Sequence, residues 1–197
     1  VVAGYHLIWT VYGSWLPNDP RGSSSHEIRA DWLTDLGEFH HGRKKIQPCG
    51  AVIRKFYREA KPKLMHEVYT FTDDEIEFVA DAFANTIGTR RYTCYACAIM
   101  PDHVHMLIRK HRDQAEEMIG FLQDDSWKRL IDAGVRSSDH PIWGGLGWKV
   151  YLDSRADMER IVKYIQDNPI KAGRAPQKWK FVQPYDGWLP GVGARHN

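Results

Sequence analysis

Cysteine is scarce in this chain. Its three residues, Cys49, Cys94 and Cys97, are too few, and odd in number, for the disulfide framework of a small secreted protein. Long hydrophobic runs are missing too. No stretch approaches the roughly 18 uninterrupted apolar residues of a membrane span, and VVAGYHLIWT has no basic segment leading into an apolar one. The expectation is a cytoplasmic protein with no membrane partner. Excess charge is also lacking, with 27 Lys and Arg against 25 Asp and Glu, and a net charge of +2 names no nucleic-acid partner by itself. What is present is the composition of a folded protein, 43% hydrophobic and 26% charged, which excludes disorder throughout. A length of 197 residues suits one domain, 1–197, with room for a sizeable insertion.

Charge is distributed unevenly. Between His40 and Lys63, Arg43, Lys44, Lys45, Arg54, Lys55, Arg58, Lys61 and Lys63 face only Glu59. After Pro169, a basic tail over about 169–197 carries Lys171, Arg174, Lys178, Lys180 and Arg195 against Asp186. Such patches can hold a phosphate backbone, although solvated basic loops give the same pattern.

GYHLIWTVYG, rich in aromatic and β-branched residues, predicts a first strand. From about residue 13 to residue 62 follows an insertion dense in Gly, Pro, Ser, Asn and Asp and without sustained period, so irregular structure is expected there. Regularity resumes near Lys63. Thr72-Asp73-Asp74-Glu75 reads as a capping box, and Ile76, Val79, Ala80, Phe83 and Ile87 then share one helical stripe. RYTCYACAIM and HVHMLIRK read as a hairpin turning at Met100-Pro101-Asp102. Within it Cys94 and Cys97, three apart on a strand, are expected on opposite faces and in a packing role. A second helix is predicted over Gln114 to Ala133, then a short strand WKVYLDS, then a third helix from Asp153 or Ser154 that stops at Asn168 because Pro169 follows. Without the insertion and the last helix, the order is β-α-β-β-α-β. That is the α+β, ferredoxin-like split motif, an antiparallel sheet with two helices on one face and the other face free.

In Asp102-His103-Val104-His105-Met106-Leu107-Ile108-Arg109 the period of two puts Val104, Met106 and Ile108 on the covered face, and His103, His105, Leu107 and Arg109 on the other. Two adjacent imidazoles there can converge on one divalent metal, although H-x-H pairs are more often structural. On the last helix Met158, Ile161, Val162 and Ile165 form the buried stripe, with Tyr164 and Asn168 one above the other at its edge. Each alone reads as an ordinary boundary residue. Together with the histidine pair and the basic segments they form a less generic set.

This set resembles the single-tyrosine HUH transposases of insertion sequences, especially the REP-associated tyrosine transposase (RAYT) family. YHLIWT, AIMPDHVHMLI and YIQDNPIKAG carry the match, with order and spacing agreeing from about Tyr5 to Arg174. The resemblance implies a nucleophile at Tyr164, metal ligands at His103 and His105, and a third ligand at Asn168, where many relatives carry Gln, with Gln166 or Asp167 as alternatives that helical geometry favours less. It implies Mg²⁺ or Mn²⁺ as cofactor, single-stranded or hairpin DNA as substrate, and a bacterial cytoplasm or nucleoid as location. The metal would polarise a phosphodiester while the tyrosine attacks in line, giving a covalent 5′-phosphotyrosine and a free 3′-hydroxyl that the same site can rejoin. A tyrosine ordinarily ionises near pH 10, so the nucleophile needs help in losing its proton. Relatives include homodimers and monomers.

Phosphate contacts are expected from Arg109, Lys110, Arg112, Lys128, Arg129, Lys171, Arg174 and Lys178, and base stacking from Trp15, Trp32, Trp143 and Trp179, which an aromatic lid over the core would also explain. The insertion is longer than the link in minimal members, and His40, His41 and His66 are expected to have surface roles. The alternative to a strand-transferring enzyme is a non-catalytic, domesticated hairpin- or single-strand-binding protein on the same fold. A replication or transfer nickase would share the chemistry and differ in substrate.

Overall fold

The computed structural model describes residues 1–23 and 31–191. Four strands, β1 (Gly4–Thr10), β2 (Cys94–Ile99), β3 (His103–Arg109) and β4 (Trp148–Leu152), form one sheet in the order β2-β3-β1-β4, all neighbours antiparallel. The helices are α1 (Asp31–Thr34), α2 (Gly50–Ala60), α3 (Asp73–Arg90), α4 (Ala115–Asp132) and α5 (Arg155–Lys171). Strand order and connections are those of the ferredoxin-like split motif.

Alternation along the strands creates two cores. Leu7, Trp9, Val104, Met106 and Ile108 point to one face, where Val79 and Phe83 of α3 and Met118, Ile119 and Leu122 of α4 cover them. The α3 stripe is buried as its sequence predicts, and the capping box closes in both directions, Thr72 Oγ1 accepting from the Glu75 N–H and Glu75 Oε2 from the Thr72 N–H.

The opposite face is not left free. Met158, Ile161 and Ile165 of α5 pack there on Ala98 and Leu107, with Leu152 of β4 in the same cluster. Helix α5 lies mainly over β2 and β3, leaving much of the β1 and β4 half bare. Helix and sheet approach closely at Gly4, where a Cβ would lie 2.9 Å from the end of the Met158 side chain and 3.0 Å from the Ile108 carbonyl, so the methionine would have to move aside. Nor does α5 stop at Asn168. It runs through Pro169 to Lys171, because so near the C-terminus the ring forfeits only the bond to the Ile165 carbonyl, and Pro169 itself is buried. The N-cap is Ser154, whose hydroxyl accepts from the Asp157 N–H.

Two other expectations change. The insertion contains the 11-residue α2, which builds a satellite core from Phe56 and Ala60 against Leu16 and Leu33. Cys94 and Cys97 point into the same core, because a register shift between Cys94 and Ala96 reverses the alternation. Both thiols are buried, and burial pushes their pKa values up, to about 12 at Cys94, which suits packing and not redox chemistry.

The C-terminal segment seals the β2 edge. Gln177 bonds both the N–H and the carbonyl of Ile99, Gln183 donates its N–H to the Cys94 carbonyl, and Tyr185 packs edge-on against Tyr95. Strand β4 is the other edge. Arg195 lies outside the described residues, as does the side chain of Trp32.

Candidate active site

The register of β1 against β3 sets Thr10 opposite His103, Ile8 opposite His105 and His6 opposite Leu107. All lie on the α5 face. His105 is 6% and His6 4% exposed, and His6 Nε2 lies 3.0 Å from His105 Nδ1. The His103 and His105 rings meet edge-on with centroids 4.9 Å apart. Tyr164 comes down from α5 onto this group, its ring 5.3 Å from His105 and 5.9 Å from His6. The tyrosine is 41% exposed, and its hydroxyl has no hydrogen-bond partner among the described residues.

Sequence reasoning missed His6. The signal was its phase in β1, since alternation puts His6, Ile8 and Thr10 opposite the apolar Leu7 and Trp9. Its pairing with His105, however, becomes visible only once the strand register is known.

The polar contacts fix both imidazoles of β3. Asp102 accepts from His103 Nδ1 at 2.7 Å, and this bond, outweighing burial, holds the Asp102 carboxyl below its usual range, with the Arg21 guanidinium adding a smaller contribution. Burial pushes His6 down to about pKa 4, with the positive field of Arg160 adding to it. His105 is driven down further by burial, then by His103 and His6, so it stays neutral. When His105 donates from Nδ1 to His6, its Nε2 keeps a lone pair, and His103 Nε2 is free in the same way. The Asp102 carboxylate behind His103 is the support that metal-ligating histidines usually have, and the His6 imidazole takes that place behind His105. Among the described residues no three His, Cys, Asp or Glu side chains are grouped to hold a metal ion. The two free imidazole nitrogens could therefore serve a metal only with an oxygen supplied from elsewhere. Asn168, half-buried one turn beyond Tyr164 on α5, is the carboxamide placed along that flank.

Of the expected phosphate contacts, Lys171 reaches the site, with Nζ 5.5 Å from the Tyr164 ring centroid. The others lie elsewhere. Arg109 ends β3, about 20 Å from His103 at the usual strand rise, and stacks on Trp188 at 3.5 Å, with Lys110 and Arg112 just beyond it. Lys128 and Arg129 belong to α4, across the sheet from Tyr164. Arg174 pairs with Asp73 at the start of α3, and Lys178 lines an open cleft beside that helix.

Two of the expected stacking tryptophans are structural. Trp143 packs on Trp9 and Phe71 with its Nε1 bonded to Gln123 and Ser126, and Trp179 stacks on Phe181 against the core. Trp15 carries the Arg21 guanidinium 3.7 Å above its ring, and buried Asp19 grips Arg21 in a two-pronged ion pair. His41 faces Trp148, and His66 lies among Tyr12 and His140.

No family model matches the chain, and no curated protein matches it. Solved structures do resemble it. One is described as a REP-associated tyrosine transposase bound to a REP hairpin, 12% identical, covering 89% of this chain and 72% of that one, with a TM-score of 0.46. Another is a candidate transposase from Deinococcus radiodurans R1, 14% identical, covering 89% of this chain and 93% of that one, with a TM-score of 0.41. Likenesses this remote carry nothing about what the chain does, which has to be read from its own residues.

Proposed function

We propose that this protein is a metal-dependent DNA strand transferase and endonuclease of the HUH type, which cleaves and rejoins single-stranded DNA at Tyr164 and selects it through hairpins. The observation that carries the reading is the approach of the Tyr164 ring to His105, 5.3 Å between centroids, within one subunit and beside a second imidazole of the same strand. A phosphate set between the phenol and the two imidazole Nε2 atoms could be reached from both sides.

His103 and His105, with an oxygen from Asn168, would hold the Mg²⁺ or Mn²⁺, which when bound supplies charge to polarise the phosphate. Asp102 and His6 keep the two rings turned. The Tyr164 oxygen forms a bond to phosphorus as the 3′-oxygen leaves, the phenol gives up its proton and the leaving oxygen gains one. The 5′-phosphotyrosine conserves the bond, so a 3′-hydroxyl can reverse the step and join strands.

The test uses labelled hairpin oligonucleotides with unpaired flanks, incubated with Mn²⁺ or EDTA and run on a denaturing protein gel. Wild type should form a covalent adduct only with metal, and Tyr164→Phe none. Binding without adduct across a broad pool of hairpins would instead favour a non-catalytic binding protein on this fold.

A further inference from the structure

The bare half of the α5 face is apolar and adjoins the site. Trp148 and Val150 of β4 are each 38% exposed, with half-buried Ile8 between Trp148 and His105. Register ties them to the chemistry. Ile8 pairs with both His105 and Trp148, so His105, Ile8 and Trp148 form one row across β3, β1 and β4, and Val150 stands beside His6 in the next. Two strand spacings, about 10 Å, separate the backbones of Trp148 and His105. This is comparable to the span from a nucleotide's phosphate to the outer edge of its base.

We infer that Trp148, floored by Ile8 and Val150, is a stacking platform for the unpaired base of a nucleotide adjoining the phosphate at Tyr164, a substrate-positioning subsite. The inference rests on the reading of the site as one for single-stranded DNA. An indole face gives a base area to stack on whatever its sequence, and an exposed aliphatic and aromatic surface of this kind marks a place where something binds. Charge supports the same occupant. Lys171 lies at the Tyr164 ring, so a cation flanks the path of a backbone that runs between α5 and β4. His41 of the insertion meets the Trp148 ring at 6.2 Å and bounds the platform there.

The test is equilibrium binding, read by fluorescence polarisation in Mg²⁺, of a fluorescein-labelled hairpin with an unpaired thymidine tail and of the same hairpin with an abasic tail. Trp148→Ala should weaken binding to the intact tail by roughly tenfold or more, as expected for one lost stack, while Trp148→Phe stays within about threefold of wild type. Wild type should lose a similar factor on the abasic tail, and Trp148→Ala little further. Three results would overturn the inference: Trp148→Ala binding the intact tail as wild type does, equal losses on both tails, or a particle mass that falls from two copies to one on substitution, which would make β4 a contact between subunits. If wild type forms the covalent adduct yet ignores the abasic change, only the subsite falls. If it binds neither tail, the strand-transferase reading falls with it.

Discussion

Glu75 is a buried acid with several roles at once. Its carboxylate closes the α3 capping box, accepts from Tyr69 at 2.9 Å and pairs with Arg136 at 2.5 Å, while its side chain is 2% exposed. Burial alone would raise its pKa. The bonds from Arg136, the Thr72 N–H and Tyr69 outweigh burial, so the carboxyl is held below its usual value. Its stabilisation is therefore complete above about pH 4.3 and drains away as the pH falls through the lower folded value. Glu75→Gln should cost about 1–3 kcal/mol at pH 7, with the gap to wild type closing toward about pH 3. Urea melts of both proteins across this range check it, and a gap independent of pH would remove the titration argument. At this scale the sequence was legible where one element suffices. The period of two put His103 and His105 on one face, and helical spacing put Tyr164 over Asn168. His6 needed the pairing of two strands a hundred residues apart, and no local pattern encodes that.

Elements were legible in proportion to how much of their stripe faces the main core. Helix α3 shows five apolar positions in phase behind a capping box, and it forms as read. Helix α2 offers only Ile53, Phe56, Tyr57 and Ala60 among Arg54, Lys55 and Arg58, and it buries against the insertion's own Leu16 and Leu33 instead of the sheet. A short stripe inside a basic segment looks like loop until its partners are known. Pro169 misled for a related reason, since a proline that ends most helices costs little when only the last turn remains. The satellite core predicts separable stability. Phe56→Ala, which on general grounds removes about 3–5 kcal/mol of packing from a fully enclosed site, should open α2 and its surroundings while the sheet stays folded. Hydrogen exchange should show protection lost over Gly50–Ala60 and kept in β1 and α3. Equal loss in all three would mean that the insertion and the sheet unfold as one unit.

At the scale of the whole molecule the sheet divides cations into two populations that a net charge of +2 conceals. Lys171 stands at Tyr164, whereas Lys128 and Arg129 ride on α4 behind the sheet, where Arg129 also lies 3.8 Å from Asp81 and over the Phe78 ring. The sequence could show where basic residues cluster along the chain but not on which side of a sheet they emerge, because that depends on which face each helix covers. If DNA lies on the α5 face, Lys171 neutralises a phosphate and α4 does not. Affinity for a hairpin oligonucleotide should then fall several-fold in Lys171→Ala, with the slope of log affinity against log salt smaller by about 1, because one counterion fewer is released. Lys128→Ala should leave affinity and slope within error of wild type. Titrations between 50 and 200 mM salt, the range in which phosphate contacts weaken by roughly orders of magnitude, resolve the difference. The reverse pattern, with Lys128 carrying the salt dependence, would move the DNA to the helical face and leave Tyr164 without a substrate path.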